Sequence, residues 1–121
     1  MSGLKFDPTR VAIADFNLSP TIGSETGKIR PCVVVTNDIY NSRLKVIQVI
    51  PITEWSEKKS RIVTNVTLEA DKSNGLSKKS IADCLQTRPI DYQKRFIRSR
   101  GKVSKDALKH IDRALKILFA L

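Results

Sequence analysis

With 121 residues and 40% hydrophobic side chains, the chain has the size of one domain with its own core. That excludes a two-domain layout and a disulfide-stapled mini-protein. The net charge of +10 is lopsided, because residues 78–113 hold eleven basic and four acidic side chains. Such a balance suits a polyanion, either nucleic acid or an acidic protein, and equally a merely soluble basic surface.

Two distant cysteines and one histidine are too few ligands for a zinc centre, so no metal or other cofactor is expected. Cys32 and Cys84 sit in apolar runs and read as reduced, buried thiols. The N-terminus lacks an apolar signal core, and no run approaches the about 18 apolar residues of a membrane span. A soluble, cytoplasmic protein without membrane contact is the expectation.

In chain order, residues 11–16 alternate weakly and predict a first strand. Residues 17–30 predict a loop rich in turn formers, Asn17, Ser19, Pro20, Gly23 and Gly27. That loop brings Glu25, Lys28 and Arg30 together ahead of a stiff strand, as a binding or catalytic site requires and as an ordinary polar hairpin also allows. Pro31 biases Arg30 to extended backbone. Residues 32–36 form a β-branched run expected of a central strand covered on both faces. A turn over 37–42 and a strand over 44–53 follow. Residues 54–60 predict a charged loop carrying the only tryptophan, Trp55. Residues 62–68 alternate as a half-buried strand, 71–79 predict a loop around Asn74-Gly75, and 80–87 predict another strand. A turn or short helical turn over 89–93 and a short strand over 96–103 complete the β-rich part.

The period then changes. Ser104 is a natural helix cap, and Leu108, Ile111, Leu115 and Leu118 recur at helical spacing, with Ala107, Ala114, Ile117 and Leu121 widening the face. Six or seven short strands and one packed helix predict a mainly β (α+β) fold, a small, strongly bent antiparallel sheet or barrel with a helix alongside. No repeat or linker divides residues 1–121.

Four ordered elements resemble the MazF/PemK family of toxin–antitoxin ribonucleases. They are the early strand ending Asp15-Phe16; Gly23-Ser24-Glu25 with Arg30-Pro31, its valine run and Asn37-Asp38 to Asn41; the strand end Pro51-Ile52-Thr53; and Gly75-Leu76 through Ser80, Asp83, Gln86-Thr87-Arg88 and Ile90-Asp91 to Arg95. The family usually has glycine at the start of the first strand, where this chain has Arg10. The resemblance implies an SH3-like or CcdB-like barrel, pairing as a homodimer, and metal-free cleavage of single-stranded RNA until an acidic antitoxin blocks the site.

Such cleavage needs removal of the 2′-hydroxyl proton, neutralisation of the crowded phosphate and protonation of the leaving 5′-oxygen. His110, the only histidine, reads as a helix-surface residue, so a histidine-pair mechanism is excluded. The resemblance implies Arg30 and Thr53 as the catalytic pair. Arg30 suits a phosphate clamp and Thr53 a hydroxyl hydrogen bond, while Glu25 is placed to accept a proton or orient Arg30. Lys28, Lys58, Lys59, Arg61, Thr64 and Asn65 are expected to contact RNA. Trp55 offers a stacking face or a dimer contact. Gln86 is expected to reach RNA from the partner subunit, with Ser80 and Arg88 as weaker candidates. Arg95 reads as structural, pairing with Asp91. Two readings compete: a non-catalytic inhibitor of DNA topoisomerase on a CcdB-like barrel, and a basic RNA-binding module.

Overall fold

Strict alternation along the central strands builds two cores, one on each face of a single sheet. The computed structural model describes residues 6–121. In β1 (Ala12–Asn17) and β2 (Ile29–Val34), Ala14, Phe16, Cys32 and Val34 face one core with Ile47, Val49 and Ile90. Ile13 and Val33 face the other, with Ile50, Ile52, Val66 and Leu68. Phe6 closes the first core by stacking on Phe96, with ring centroids 5.0 Å apart.

The strands β3 (Val46–Glu54), β4 (Asn65–Leu68), β5 (Ser80–Asp83), β6 (Arg88–Asp91) and β7 (Phe96–Lys102) complete the sheet. Their order is β4-β5-β3-β2-β1-β7, with β6 also on β3. Every pairing is antiparallel. β3 runs against β2 along one edge and divides its other edge, pairing β6 over residues 46–49 and β5 over residues 52–54. Two register shifts between β1 and β7 add twist. The bent, mainly β architecture is as expected, but the sheet does not close into a barrel: β4 and β7 are its two ends.

The long helix α4 (Lys105–Phe119) begins where expected, with the Ser104 hydroxyl accepting from the Ala107 amide at 3.0 Å. Ile111 and Ala114 are buried, with Ala107, Leu108 and Leu115 packed beside them. Its end departs from expectation, since Ile117 in the last turn and Leu121 just beyond the helix are 45% and 88% exposed.

Short polar side chains account for the other differences. Asn37, Ser56 and Asp91 cap one-turn helices α1 (Asp38–Asn41), α2 (Glu57–Ser60) and α3 (Tyr92–Arg95), where a turn, a loop, and a turn or short helical turn were expected. Residues 62–64 were expected to open this strand, but Ile62 and Val63 are both exposed and the Ile62 and Asn65 amides bond within a turn, so β4 starts only at Asn65. The expected strand 80–87 stops at Asp83 and tightens into a 3-10 turn over Cys84–Gln86. β6 forms despite Pro89 because it pairs only with β3, leaving its outer edge without need of that N–H. Arg10, where the family has glycine, is anchored through its amide on Asp38 and its guanidinium on Val35 and Asp112, and the next residue, Val11, takes φ +82°.

Candidate active site

Arg30 belongs to β2 rather than to the preceding loop. It stands opposite Phe16 in β1 and is half-buried. The expected extended backbone ahead of Pro31 is present, but the chain becomes a strand one residue earlier, at Ile29. The β2–β3 register sets Cys32 opposite Pro51, and continuing it by two residues brings Arg30 across from Thr53. Thr53 is in turn paired with Ile81 of β5. Four strands therefore fix the two side chains.

Arg30 and Thr53 line one open depression of about 190 Å³, with Glu54, Lys78, Ser80 and Arg100 around it. The Arg30 Nε donates to the Gly27 carbonyl at 3.3 Å, which orients the guanidinium fork. Glu54, also exposed, is offset by Lys78 at 3.4 Å. The lining thus contains three cations and one carboxylate, a setting for an anion.

Arg100 enters from β7 and rests on a buried carboxylate. Asp15, only 6% exposed, accepts from Arg100 Nε at 2.6 Å and from Arg98 Nε at 2.8 Å. Arg100 Nη1 also donates to the Gly75 carbonyl at 2.9 Å. Gly75 has φ +68°, and a Cβ there would overlap the Arg100 carbonyl. A Cβ on Gly101 would likewise strike the Ser73 carbonyl. Glycine at both positions lets the 73–75 loop press directly on β7.

Glu25, Gln86 and Arg88 line a different depression of about 350 Å³. Glu25 Oε1 accepts from the Ile22 amide at 2.7 Å, so the carboxylate closes its own turn. Gln86 grips the same loop from both ends of its amide: Oε1 accepts from the Thr26 N–H at 3.1 Å, and Nε2 donates to the Ser24 carbonyl at 3.3 Å. Arg88 Nη1 donates to the Leu18 carbonyl at 3.0 Å. Arg95 is structural as expected, but through the Asn17 and Ser19 carbonyls, each 2.8 Å from its Nη1, rather than through Asp91. Asp91 instead caps α3. Lys28 is exposed, with φ +66° and its amide on the Ser19 hydroxyl.

A third group gathers at α2 and the start of β4. Lys58, Lys59 and Arg61 are exposed, and Arg61 pairs with Glu57 at 2.8 Å. Asn65 donates to the Lys59 carbonyl at 3.0 Å, tying α2 to β4, and neighbouring Thr64 is half-buried. The Lys79 ammonium lies 4.2 Å from the centre of the Trp55 ring, covering one of its faces. His110 is exposed on α4, 3.6 Å from Asp106, and does not line the Arg30 depression. Burial pushes the Cys84 thiol up to about 12 and raises that of Cys32 further, with Asp15 adding to the second effect. Both thiols are free, buried and protonated, unsuited to nucleophilic work.

The model of the PemK-like, MazF-like toxin of type II toxin-antitoxin system matches residues 9–119. The chain belongs to the PemK/MazF family. It is 34% identical over 105 residues to endoribonuclease EndoA of Bacillus subtilis, covering 87% of this chain and 88% of that one. It is 35% identical over 111 residues to endoribonuclease MazF of Staphylococcus epidermidis, covering 92% and 88%. A crystal structure of MazF from Deinococcus radiodurans shares the fold, with TM-score 0.81 at 23% identity over 97% of this chain and all of that one. A MazE-MazF structure from the same organism gives 0.75 at 23% identity over 97% and 99%.

For this PemK/MazF family member, sequence reasoning found the floor of the depression and missed its wall. Lys78 and Arg100 appeared only as part of a basic balance. Nothing in period or spacing connects Asp15 with Arg100, which meet only because β1 and β7 pair. The adjoining Arg100-Gly101 and Asn74-Gly75 steps were the available signal of a close backbone approach.

Proposed function

We propose that the chain is a sequence-specific endoribonuclease toxin that cuts single-stranded RNA, mRNA above all, with Arg30 and Thr53 as the catalytic pair. The single observation that carries this reading is a guanidinium and a hydroxyl held across two strands at one open, cationic depression. In the reaction the 2′-hydroxyl gives its proton to solvent water as its oxygen bonds to phosphorus, and the bond to the 5′-oxygen breaks as that oxygen takes a proton from solvent, leaving a 2′,3′-cyclic phosphate and a 5′-hydroxyl. Arg30 donates to the equatorial oxygens of the pentacoordinate phosphate, and Thr53 adds a hydroxyl donor to the same group. Arginine is a poor proton carrier, since its pKa exceeds about 12. Its work is charge stabilisation, and no metal is required for it. Glu25 acts in this reading by shaping the loop. Lys28, Lys58, Lys59, Arg61, Trp55, Thr64, Asn65 and Ser80 supply the RNA track around the depression. A topoisomerase inhibitor would have no use for the paired guanidinium and hydroxyl.

The partners follow from the same surface. The chain acts as a homodimer, in keeping with the apolar side chains Val63, Ile117, Phe119 and Leu121 exposed near the end of α4. An antitoxin with an acidic and apolar C-terminal segment lies across the depression and excludes RNA. Its binding on the face opposite Arg30 would remove that account of inhibition.

The deciding experiment incubates purified protein with a long single-stranded RNA in EDTA. Discrete fragments ending in 2′,3′-cyclic phosphate and beginning with 5′-hydroxyl are expected. Intact RNA would overturn the assignment.

A further inference from the structure

We propose that Arg100 is a substrate-binding residue, a second guanidinium that grips the RNA phosphate flanking the scissile one. This deepens the endoribonuclease reading and rests on it. Arg100 lines the same depression as Arg30 and Thr53, yet it comes from β7, at the end of the sheet. Its side chain is 15% exposed, against 62% for Arg98, the other arginine on Asp15. One carboxylate therefore holds two guanidinium groups, and this cluster keeps one uncompensated positive charge.

The geometry decides where that charge acts. Nε is committed to Asp15 and Nη1 to the Gly75 carbonyl. Among the described residues Nη2 has no acceptor, and the side chain it belongs to forms the wall of the depression. A guanidinium fixed at two nitrogens has little rotamer freedom left to lose on binding an anion. Its backbone is equally constrained, with no space for a Cβ at either Gly75 or Gly101. Lys78 shares the lining but is a flexible, exposed cation already facing Glu54, so it offers attraction without direction. A polynucleotide presents phosphates in series, and two fixed guanidinium groups in one depression match two of them.

The test uses the mapped RNA target made with a single 2′-deoxyribose before the scissile phosphate, so that it binds without being cut. Its affinity is measured across salt concentrations for wild type, Arg100→Gln, Arg98→Gln and Asp15→Asn/Arg100→Gln. The double variant removes the orphaned buried carboxylate that makes Arg100→Gln alone a folding risk. Loss of one phosphate contact should weaken binding about tenfold and make the log–log salt slope shallower by about 0.7. The same loss is expected in the single and the double variant, whereas Arg98→Gln should keep the wild-type slope. Wild-type affinity and slope in the folded double variant would overturn the proposal, as would an equal loss of slope in Arg98→Gln. Arg30→Ala is assayed alongside with cleavable RNA. Undiminished cutting there would sink the active-site reading itself, whereas its failure to cut with unchanged Arg100 variants would sink only the second contact.

Discussion

The depression and the loop beside it are held by different means. Arg30 and Thr53 owe their positions to ladder hydrogen bonds of β1, β2, β3 and β5. The 18–28 loop owes its position to side chains reaching in from later segments, namely Gln86, Arg88 and Arg95. A ladder yields only when the sheet unfolds, while a side-chain tie can be cut singly. Chemistry placed on strands and access placed on a tethered loop should therefore fail separately.

The largest expected effect comes from breaking the strand-borne pair. Arg30→Ala should lower the cleavage rate constant by about 10³-fold. Because the side chain makes one hydrogen bond among the described residues, to Gly27, stability should fall by only about 1 kcal/mol. Single-turnover kinetics alongside thermal unfolding would check both, and retained cutting would remove Arg30 from the mechanism. Thr53→Val keeps a β-branched side chain in β3 and deletes only the hydroxyl. A fall of about 10² in kcat with KM unchanged is expected; a change confined to KM would make Thr53 a binding group.

Cutting the tether gives a smaller and different result. Gln86→Ala removes both amide bonds to the loop, so KM should rise about tenfold while kcat moves less. Faster hydrogen exchange at the Thr26 amide would show that the loop had loosened, and unchanged exchange would refute the tether. The smallest effect concerns Asp83, whose carboxyl is raised by burial at the end of β5. A raised folded-state carboxyl favours the protonated form, so its contribution to stability is greatest below the ordinary carboxylate range and is lost as pH climbs through it. Asp83→Asn should abolish that loss, and melting temperatures compared at about pH 3 and pH 7 would detect it. A variant with the wild-type pH dependence would count against burial as the cause.

The sequence made these two regions unequally legible. Alternation and β-branching exposed β2 and β3, and the family motif placed Arg30 and Thr53 on them. The helix was visible from Ser104 and its apolar spacing. Its last turn was not, because burial there depends on what surrounds the monomer. One-turn helices capped by Asn37 and Ser56 escaped notice since a single turn leaves no period to read, and the one capped by Asp91 was legible only as a turn or short helical turn. Glu25 looked like a site carboxylate on residue type alone, and only the fold reveals that its oxygen is taken by Ile22. Strand number left a bent sheet and a barrel both open and the resemblance implied the barrel, because pairing at the ends of a sheet has no local signature.

The division of β3 between two neighbours leaves little tolerance for mistakes in length. Its upper half is aligned by β6 and its lower half by β5, so deleting one residue between them would leave one alignment or the other unsatisfied. If β5 prevailed, Thr53 would stay beside Ile81 while the apolar residues behind it exchanged faces. If β6 prevailed, Glu54 would take the place of Thr53 and the hydroxyl would turn inward where Ile52 belongs, because a strand offers only two directions. Point substitutions in this strand should be graded in their consequences, whereas a lost codon should be all or nothing.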